Sequence, residues 1–397
     1  MAAGVSEQVP EAVAPPPGNV RFPLVDGLRA IAVLCVVAVH VATESVEAGT
    51  VAGRLLLHLN IGVALFFLIS GFLLYRPFIA HRTGGPEPPA IRDYARRRLL
   101  RILPAYWLVL IAVIVLPSVA ANDDGNWLEQ FALVFTLTDS TGWACSGCAL
   151  AQTWSLGVEL TFYAALPFYA LLAARLARGR SKAEWLRLEL LLLAALSAAM
   201  AAVQFLQPEL LPAALLGGSA LGFLTWFALG MGLALVSVAR GEGDGANGSA
   251  LGAASLWAGA VTVYVALSLW LPDTPFLVDR GKLFIAFMAF GLICLLVMLP
   301  AVVNVAPGGL PARLLSIRPV AWTGLVSYGI FLWHLAVIRW INTVNDDLAF
   351  IPLFVLVLAI TVPIAATSYY FLERPLLRLK NRRLAGSSAL RRVPAKS

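Results

Sequence analysis

Long apolar runs recur along the whole chain, and this feature limits the folds open to it more than any other. About ten runs are long enough to cross a bilayer core about 30 Å thick. They lie near Leu28 to Val46, Leu55 to Ile79, Ile102 to Ala120, Leu150 to Ala173, Leu186 to Leu206, Leu216 to Val238, Leu251 to Leu271, Lys282 to Val303, Val320 to Ile341 and Leu348 to Tyr370. Backbone groups inside a bilayer must be hydrogen-bonded within the protein. The runs therefore predict an all-α, polytopic integral membrane bundle.

The composition agrees with a membrane protein. The chain is 60% hydrophobic and only 13% charged, whereas a soluble domain has roughly 25% charged residues. The polar segments between the runs are too short to bury a core of their own. We therefore expect one membrane domain over residues 21–378, with a disordered N-terminal tail (1–20) and a basic C-terminal tail (379–397).

The positive charge of the chain predicts its orientation. A formal net charge of +7 is compatible with nucleic-acid binding, but basic residues beside apolar spans more often set membrane topology. Alternating the loops between the two sides leaves few cations on the side opposite the termini, namely Arg54, Arg280, Lys282 and Arg339. This predicts a multi-pass protein of the plasma (inner) membrane with both termini in the cytoplasm and no nucleic-acid partner.

Two ionisable residues interrupt the first apolar run. Arg29 and His40 lie eleven residues apart in FPLVDGLRAIAVLCVVAVH, which on one helix is about 16 Å. Ionisable groups at such depth are costly and by default mark a functional site that faces other helices or a water-filled cavity. We expect the remaining helices to form that cavity.

His40 and Glu159 are predicted to lie at similar depth. His40 is about 18 Å from the cytoplasmic end of its run, and Glu159 is about 14 Å into the run that starts at Leu150 from the other side. A histidine oriented by a carboxylate can take a proton from a hydroxyl, as a general base does in acyl transfer. The alternative is that Glu159 only hydrogen-bonds another helix.

A second buried histidine is a weaker candidate. His334 lies in VSYGIFLWHLAVI with Tyr328 one and a half turns away. One interpretation is that both side chains line a substrate-binding pocket for the acyl acceptor. The alternative is that His334 only donates a hydrogen bond between helices.

A cationic segment precedes the third run. In RDYARRRLLRILPAYW, Arg98 and Arg101 would share nearly one helix face, and the guanidinium fork suits phosphate groups. Arg96 is more typical of a lipid-headgroup contact. With Arg29 at the same level, Arg98 and Arg101 are predicted to hold a phosphorylated cosubstrate.

The cysteines do not predict a metal site. Cys35 and Cys294 fall in apolar runs, where a thiol acts as a small hydrophobe. Cys145 and Cys148, in CSGC, would form a disulfide in an oxidising compartment or a redox pair elsewhere. A zinc site would need more ligands.

Several segments, taken in order, resemble the acyltransferase-3 family of membrane acyltransferases. They are DGLRAIAVLCVVAVH, GVALFFLISGFLL, RRLLR, WSLGVELTFY, SYGIFLWH and FLERPLLR. The resemblance covers roughly Phe22 to Arg378. Phe331 departs from the tyrosine common in the family's SYxxYLxH segment, which affects only a pocket hydroxyl.

The resemblance implies an enzyme of ten core helices that transfers an acyl group to a hydroxylated, usually carbohydrate, acceptor. By this similarity the donor is acyl-CoA, most often acetyl-CoA, used as a substrate rather than as a tightly bound cofactor. Its phosphates would lie near Arg98 and Arg101, and His40 would be catalytic, either as a base or as a transient acyl carrier.

Other functions remain open on residue types alone. A transporter or flippase for a lipid-linked sugar or acyl group would also need buried His, Glu and Arg. A structural scaffold would have no use for costly buried charges. The acceptor is equally open, since cell-envelope glycans, glycolipids and secondary metabolites such as macrolides all carry hydroxyl groups.

Overall fold

The computed structural model describes residues 22–46, 49–115, 150–240, 250–272, 279–303 and 309–376. All regular elements within these residues are helical. The α-helices are α1 (Pro23–Ser45), α2 (Val51–Leu57), α3 (Ile61–Arg82), α4 (Ile91–Val115), α5 (Trp154–Ala177), α6 (Lys182–Leu206), α7 (Ala213–Gly218), α8 (Leu224–Arg240), α9 (Ala250–Trp270), α10 (Arg280–Val303), α11 (Leu310–Ser316), α12 (Arg318–Val344) and α13 (Phe350–Ser368). Short 3₁₀ turns lie at Ala151–Thr153 and Pro208–Leu210, and a π-helical turn at Tyr369–Glu373 extends α13.

The predicted fold class is confirmed. Eight helical segments of the described chain are long and apolar enough to cross a membrane. The remaining two predicted runs are also helical where they are described: α8 has only 17 residues, and α4 carries the arginine-rich segment within its first turns. Both predicted tails, together with Cys145 and Cys148, lie outside the described residues.

Helix α1 lies where two apolar clusters meet. Its first half, with Leu24 and Leu28, belongs to a cluster formed mainly by α3, α5, α8 and α10. Its second half, with Val36 and Val41, belongs to a cluster formed with α4, α12 and α13. Polar side chains from α1, α3, α4, α5 and α12 line one cleft beside α1.

Close helix crossings hold α1 against α12. The contacts Arg29 to Ser327 and His40 to His334 show that the two helices run parallel, since both residue numbers rise together. At Gly324, an added Cβ would clash with the backbone carbonyl of Asp26. Small residues that let backbones approach are typical of helix packing in membranes. The crossing fixes the register in which α1 and α12 present their polar side chains.

Candidate active site

A cleft opens between α1, α3, α4, α5 and α12. Among the described residues, three arginines and a single carboxylate line it: Arg29, Arg98, Arg101 and Glu159. Hydroxyl groups from serine and tyrosine side chains complete its polar wall, while Val63, Phe66, Leu156 and Phe331 are among its apolar lining residues. Helix α4 brings Arg98 and Arg101 to the cleft because they are three residues apart, on nearly one face. The predicted convergence of the three arginines is present.

The arginines are held by neutral groups. Arg29 donates a hydrogen bond from Nη2 to Ser327 Oγ at 3.3 Å. The guanidinium of Arg98 lies over the rings of Tyr94 and Tyr163, 5.8 Å from each centroid. Within the described part of the chain, no carboxylate forms an ion pair with Arg98 or Arg101. Three cations and one carboxylate among the described lining residues are an arrangement that suits an anionic ligand. Asp26 and Glu373 offset part of this positive charge through their electrostatic interactions with Arg29.

Glu159 is anchored inside this cleft. Its Oε1 accepts a hydrogen bond from Ser70 Oγ, and its Oε2 accepts one from Tyr163 Oη, both at 2.8 Å. It also interacts electrostatically with Arg29 and Arg98. Glu159 therefore organises the cationic cleft.

His40 is paired with His334. The Nε2 of His334 lies 3.3 Å from Nδ1 of His40, and the ring centroids are 4.9 Å apart. His40 Nδ1 is also 2.7 Å from the carbonyl of Val36, and His334 Nδ1 is 3.2 Å from that of Ile330. His334 is fully buried, and His40 is half-buried.

These contacts assign the tautomers of both rings. A backbone carbonyl can only accept, so Nδ1 carries the proton in each ring. The Nδ1 proton of His40 is then shared between two acceptors, the carbonyl of Val36 and the lone pair of His334 Nε2. In a neutral His40 ring, the remaining nitrogen, Nε2, carries a lone pair, and no described residue is hydrogen-bonded to it. The pair thus presents a neutral imidazole ready to take a proton or attack a carbonyl carbon.

The predicted contact between His40 and Glu159 is corrected. The depth estimate counted from Leu150 as though that residue lay at the membrane surface. Instead, Leu150 and Gln152 are buried, and Gln152 donates hydrogen bonds to carbonyls of Phe331 and Leu332, in the middle of α12. The start of α5 is therefore already deep, and Glu159 lies about two turns further on, at the level of the arginines.

Tyr328 and His334 occupy different places. Tyr328 lines the arginine cleft and donates from its hydroxyl to the carbonyl of Ile102 at 2.8 Å. His334 faces His40 instead. The two residues do not form one acceptor pocket in this structure, because one and a half helical turns separate them on α12 and the cleft lies at the level of Tyr328 only.

Sequence reasoning missed several polar residues of the site. Ser70 and Tyr163 are hydrogen-bonded to Glu159, and Ser327 is hydrogen-bonded to Arg29. The buried Glu373, which does not line the cleft, interacts electrostatically with Arg101 and Arg29. Tyr163 is four residues after Glu159, a spacing that places both on one helix face. Glu373 stands in FLERPLLR, three residues after the end of the last predicted run. The four-residue spacing could have identified Tyr163 from the sequence, and the carboxylate in FLERPLLR could have identified Glu373.

A second buried ionic cluster lies apart from the cleft. Arg82 forms an ion pair with Glu189 at 2.7 Å and donates to the hydroxyl of Tyr75 at 2.6 Å, and Tyr75 also bonds Glu189. The Arg82 guanidinium lies over the ring of Trp185, 5.1 Å from its centroid. This cluster joins α3 to α6, and its residues do not line the cleft.

Relatives from several bacteria match large parts of the chain. It is 29% identical to YrhL of Bacillus subtilis over 89% of the chain and 55% of the relative. It is 24% identical to the peptidoglycan O-acetyltransferase OatA of Listeria monocytogenes, with the same coverage. The acyltransferase MdmB of Streptomyces mycarofaciens is 31% identical over 39% of the chain and 40% of its own length. The chain thus spans about half the length of the curated relatives it matches.

No solved structure gives a significant match to the chain. The sequence profile of the family described as "Acyltransferase domain" (Acyl_transf_3) matches residues 22–370. The matched range contains the arginine cleft and the histidine pair, and it extends through α13 into the π-helical turn. The chain therefore belongs to the acyltransferase-3 family.

Proposed function

We propose that this protein is a membrane O-acyltransferase that moves an acyl group, most simply acetyl, from acyl-CoA to a hydroxyl of a carbohydrate-containing acceptor. The observation that carries the proposal is Nε2 of His40, the one nitrogen of the histidine pair that has no hydrogen-bond partner among the described residues. The similarity to proteins named peptidoglycan O-acetyltransferases supports a glycan acceptor.

The cationic cleft is the donor site in this proposal. Arg98 and Arg101 hold the CoA phosphates, and Arg29 adds a third cation while Ser327 fixes its orientation. Glu159 keeps the cleft in shape through Ser70 and Tyr163. Because both termini are predicted to be cytoplasmic, the cleft takes acyl-CoA from the cytoplasm, where acyl-CoA is made, and the acceptor enters from the other side.

His40 performs the proton transfer. Its Nε2 removes the proton of the acceptor hydroxyl as that oxygen attacks the thioester carbonyl, and the resulting imidazolium is next to His334. Collapse of the tetrahedral intermediate forms the ester and breaks the carbon–sulfur bond, and the CoA thiolate takes the proton back from His40. In the covalent variant, Nε2 attacks the thioester first and the hydroxyl then attacks the acyl-imidazole.

Release of CoA in detergent tests the proposal. The purified protein is incubated with acetyl-CoA and a soluble peptidoglycan disaccharide, and free thiol and acetylated product are measured. We expect turnover without any membrane gradient, and a loss of roughly 100-fold or more in His40→Ala. The matched control is His58→Ala, because His58 contacts only the Arg54 carbonyl outside the cleft.

Two outcomes would contradict the proposal. Full activity in folded His40→Ala would exclude the histidine mechanism. Transport without thiol release would instead indicate the flippase that the sequence also allows. Acetylation of the protein itself, detected by mass spectrometry after incubation with donor alone, distinguishes the acyl-histidine variant from direct transfer.

A further inference from the structure

Gln152 is a buried polar residue that the proposed mechanism does not yet use. It is 3% exposed and lies in the short 3₁₀ turn before α5. Its Nε2 donates to the carbonyl of Phe331 at 3.3 Å and to that of Leu332 at 3.0 Å. Since both contacts are acceptors, the amide orientation is fixed with nitrogen toward α12.

This orientation leaves the other end of the amide unpaired. Gln152 Oε1 is buried and has no hydrogen-bond partner among the described residues. An unpaired buried acceptor is destabilising, so such atoms in native proteins usually have a water or ligand partner. The question is which donor reaches this oxygen when the enzyme works.

Gln152 lies between the arginine cleft and the histidine pair. Gln152 precedes Leu156 by four residues and Glu159 by seven. At these helical spacings the three side chains lie close to one face. Leu156 and Glu159 line the cleft. On α12, Phe331 is a lining residue of the cleft, and its carbonyl, which accepts from Gln152, also interacts with the His334 ring. On α12, the two carbonyls that accept from Gln152 lie between Ser327, which contacts Arg29, and His334, which contacts His40. Gln152 is therefore bonded to α12 at a level between the arginines and His40.

We infer that Gln152 Oε1 accepts a hydrogen bond from the amide N–H nearest the thioester in the pantetheine arm of acyl-CoA. This inference depends on the proposed function. The acceptor hydroxyl cannot supply the same bond, because its single proton is donated to His40 Nε2. Gln152 is thus a positioning residue that holds the thioester against His40.

A donor analogue tests the inference without altering the protein. Acetyl-CoA is compared with an analogue in which that single amide N–H is replaced by an ester oxygen. We expect kcat/KM of the unmodified enzyme to fall about threefold to tenfold with the analogue, the worth of one such hydrogen bond. Equal kcat/KM for the two donors would overturn the inference.

Substitution of Gln152 shows whether this residue is the group that binds the amide N–H. In Gln152→Met, a side chain of similar length without hydrogen-bonding groups, the preference for acetyl-CoA over the analogue should disappear. In the control Thr153→Val, in the same buried turn, the preference should remain. A preference that persists in Gln152→Met would show that another group binds the N–H.

Two further results keep the test decisive. If Gln152→Met does not fold, Gln152→Leu replaces it, and the comparison in the unmodified enzyme still decides on its own. Absence of CoA release from acetyl-CoA in the unmodified enzyme would refute the proposed function itself, which is a different result from equal use of the two donors.

Discussion

At the scale of single residues, two histidines with one proton each on Nδ1 define the reactive nitrogen. His334 is fully buried and bonded to the Ile330 carbonyl, so its Nε2 can act toward His40 only as an acceptor. This fixes His40 in the tautomer whose Nε2 is free. In the proposed mechanism, the role of His334 is therefore to hold the ring of His40 and not to touch the acceptor.

Removal of His334 should lower the rate of the chemical step. We expect His334→Ala to reduce kcat roughly 10-fold to 100-fold, because His40 loses the hydrogen bond that holds its ring. The KM for acetyl-CoA should change little, since the phosphates are held in the arginine cleft. His334→Gln, whose amide oxygen can accept from His40 Nδ1, should recover part of the rate. A rise in KM without a change in kcat would instead indicate that His334 binds substrate.

The sequence predicted which residues are functional better than it predicted their partners. Arg29, Arg98 and Arg101 meet in one cleft, as expected from costly cations at one depth. His40 and Glu159 were expected to meet from depth alone, but depth depends on where a run begins. The sequence of Leu150 to Thr153 does not show that this turn is buried against α12, so the partner of His40 could not be derived from it.

At the scale of helices, the parallel crossing of α1 and α12 sets the distance between the two halves of the site. Between the two contacts, α1 advances eleven residues and α12 advances seven, about 16 Å and 10 Å along their axes. The long side chain of Arg29 can span the difference of about 6 Å between these two advances. Glycine at the crossing allows the close backbone approach that this geometry requires.

A methyl group at the crossing should destabilise the fold. Gly324→Ala places a Cβ against the Asp26 carbonyl, and we expect a cost of about 1–3 kcal/mol from overpacking. The readout is the midpoint of thermal unfolding in detergent. Gly259→Ala is the matched control, because nothing lies within 4 Å of a Cβ at that position in α9. Alanine there should leave the midpoint unchanged or raise it slightly. Equal midpoints for the two variants would contradict the crossing.

The helix boundaries follow from local chemistry to different degrees. Ser181 and Glu184 form a capping box at the start of α6, a pattern that is visible in the sequence. By contrast, α4 begins at Ile91, eleven residues before the predicted run, because its arginine-rich turns are helical although they are polar. Hydropathy finds the buried length of a helix and not its full length.

At the scale of the whole molecule, the arrangement predicts a two-sided enzyme. The loop that contains Glu87 and the turn that contains Asn345 lie on opposite sides of the membrane if the charge pattern sets the topology. The arginine cleft is then nearer the cytoplasm, and His40 is reached from both sides.

Thiol labelling in cells tests this topology. The four native cysteines are first replaced by serine, and single cysteines are introduced as Glu87→Cys or Asn345→Cys. We expect a membrane-impermeant maleimide to label Asn345→Cys in intact cells and Glu87→Cys only after permeabilisation. Both variants should retain acyltransferase activity, since neither position lines the cleft. The reverse labelling pattern would place the donor cleft on the outer side.

The offset between the arginines and His40 restricts the chemistry of the donor. If the cleft holds phosphate, the acyl carbon must reach about two to three helical turns further, on the order of 10–16 Å. In acetyl phosphate, a single oxygen joins the acyl group to phosphorus. With its phosphate bound at the arginines, its carbonyl carbon could not reach His40. The fold thus selects donors by the distance between their phosphate and their acyl carbon. Only an acyl group carried on a long, slender tether can reach His40 while its phosphate is bound at the arginines.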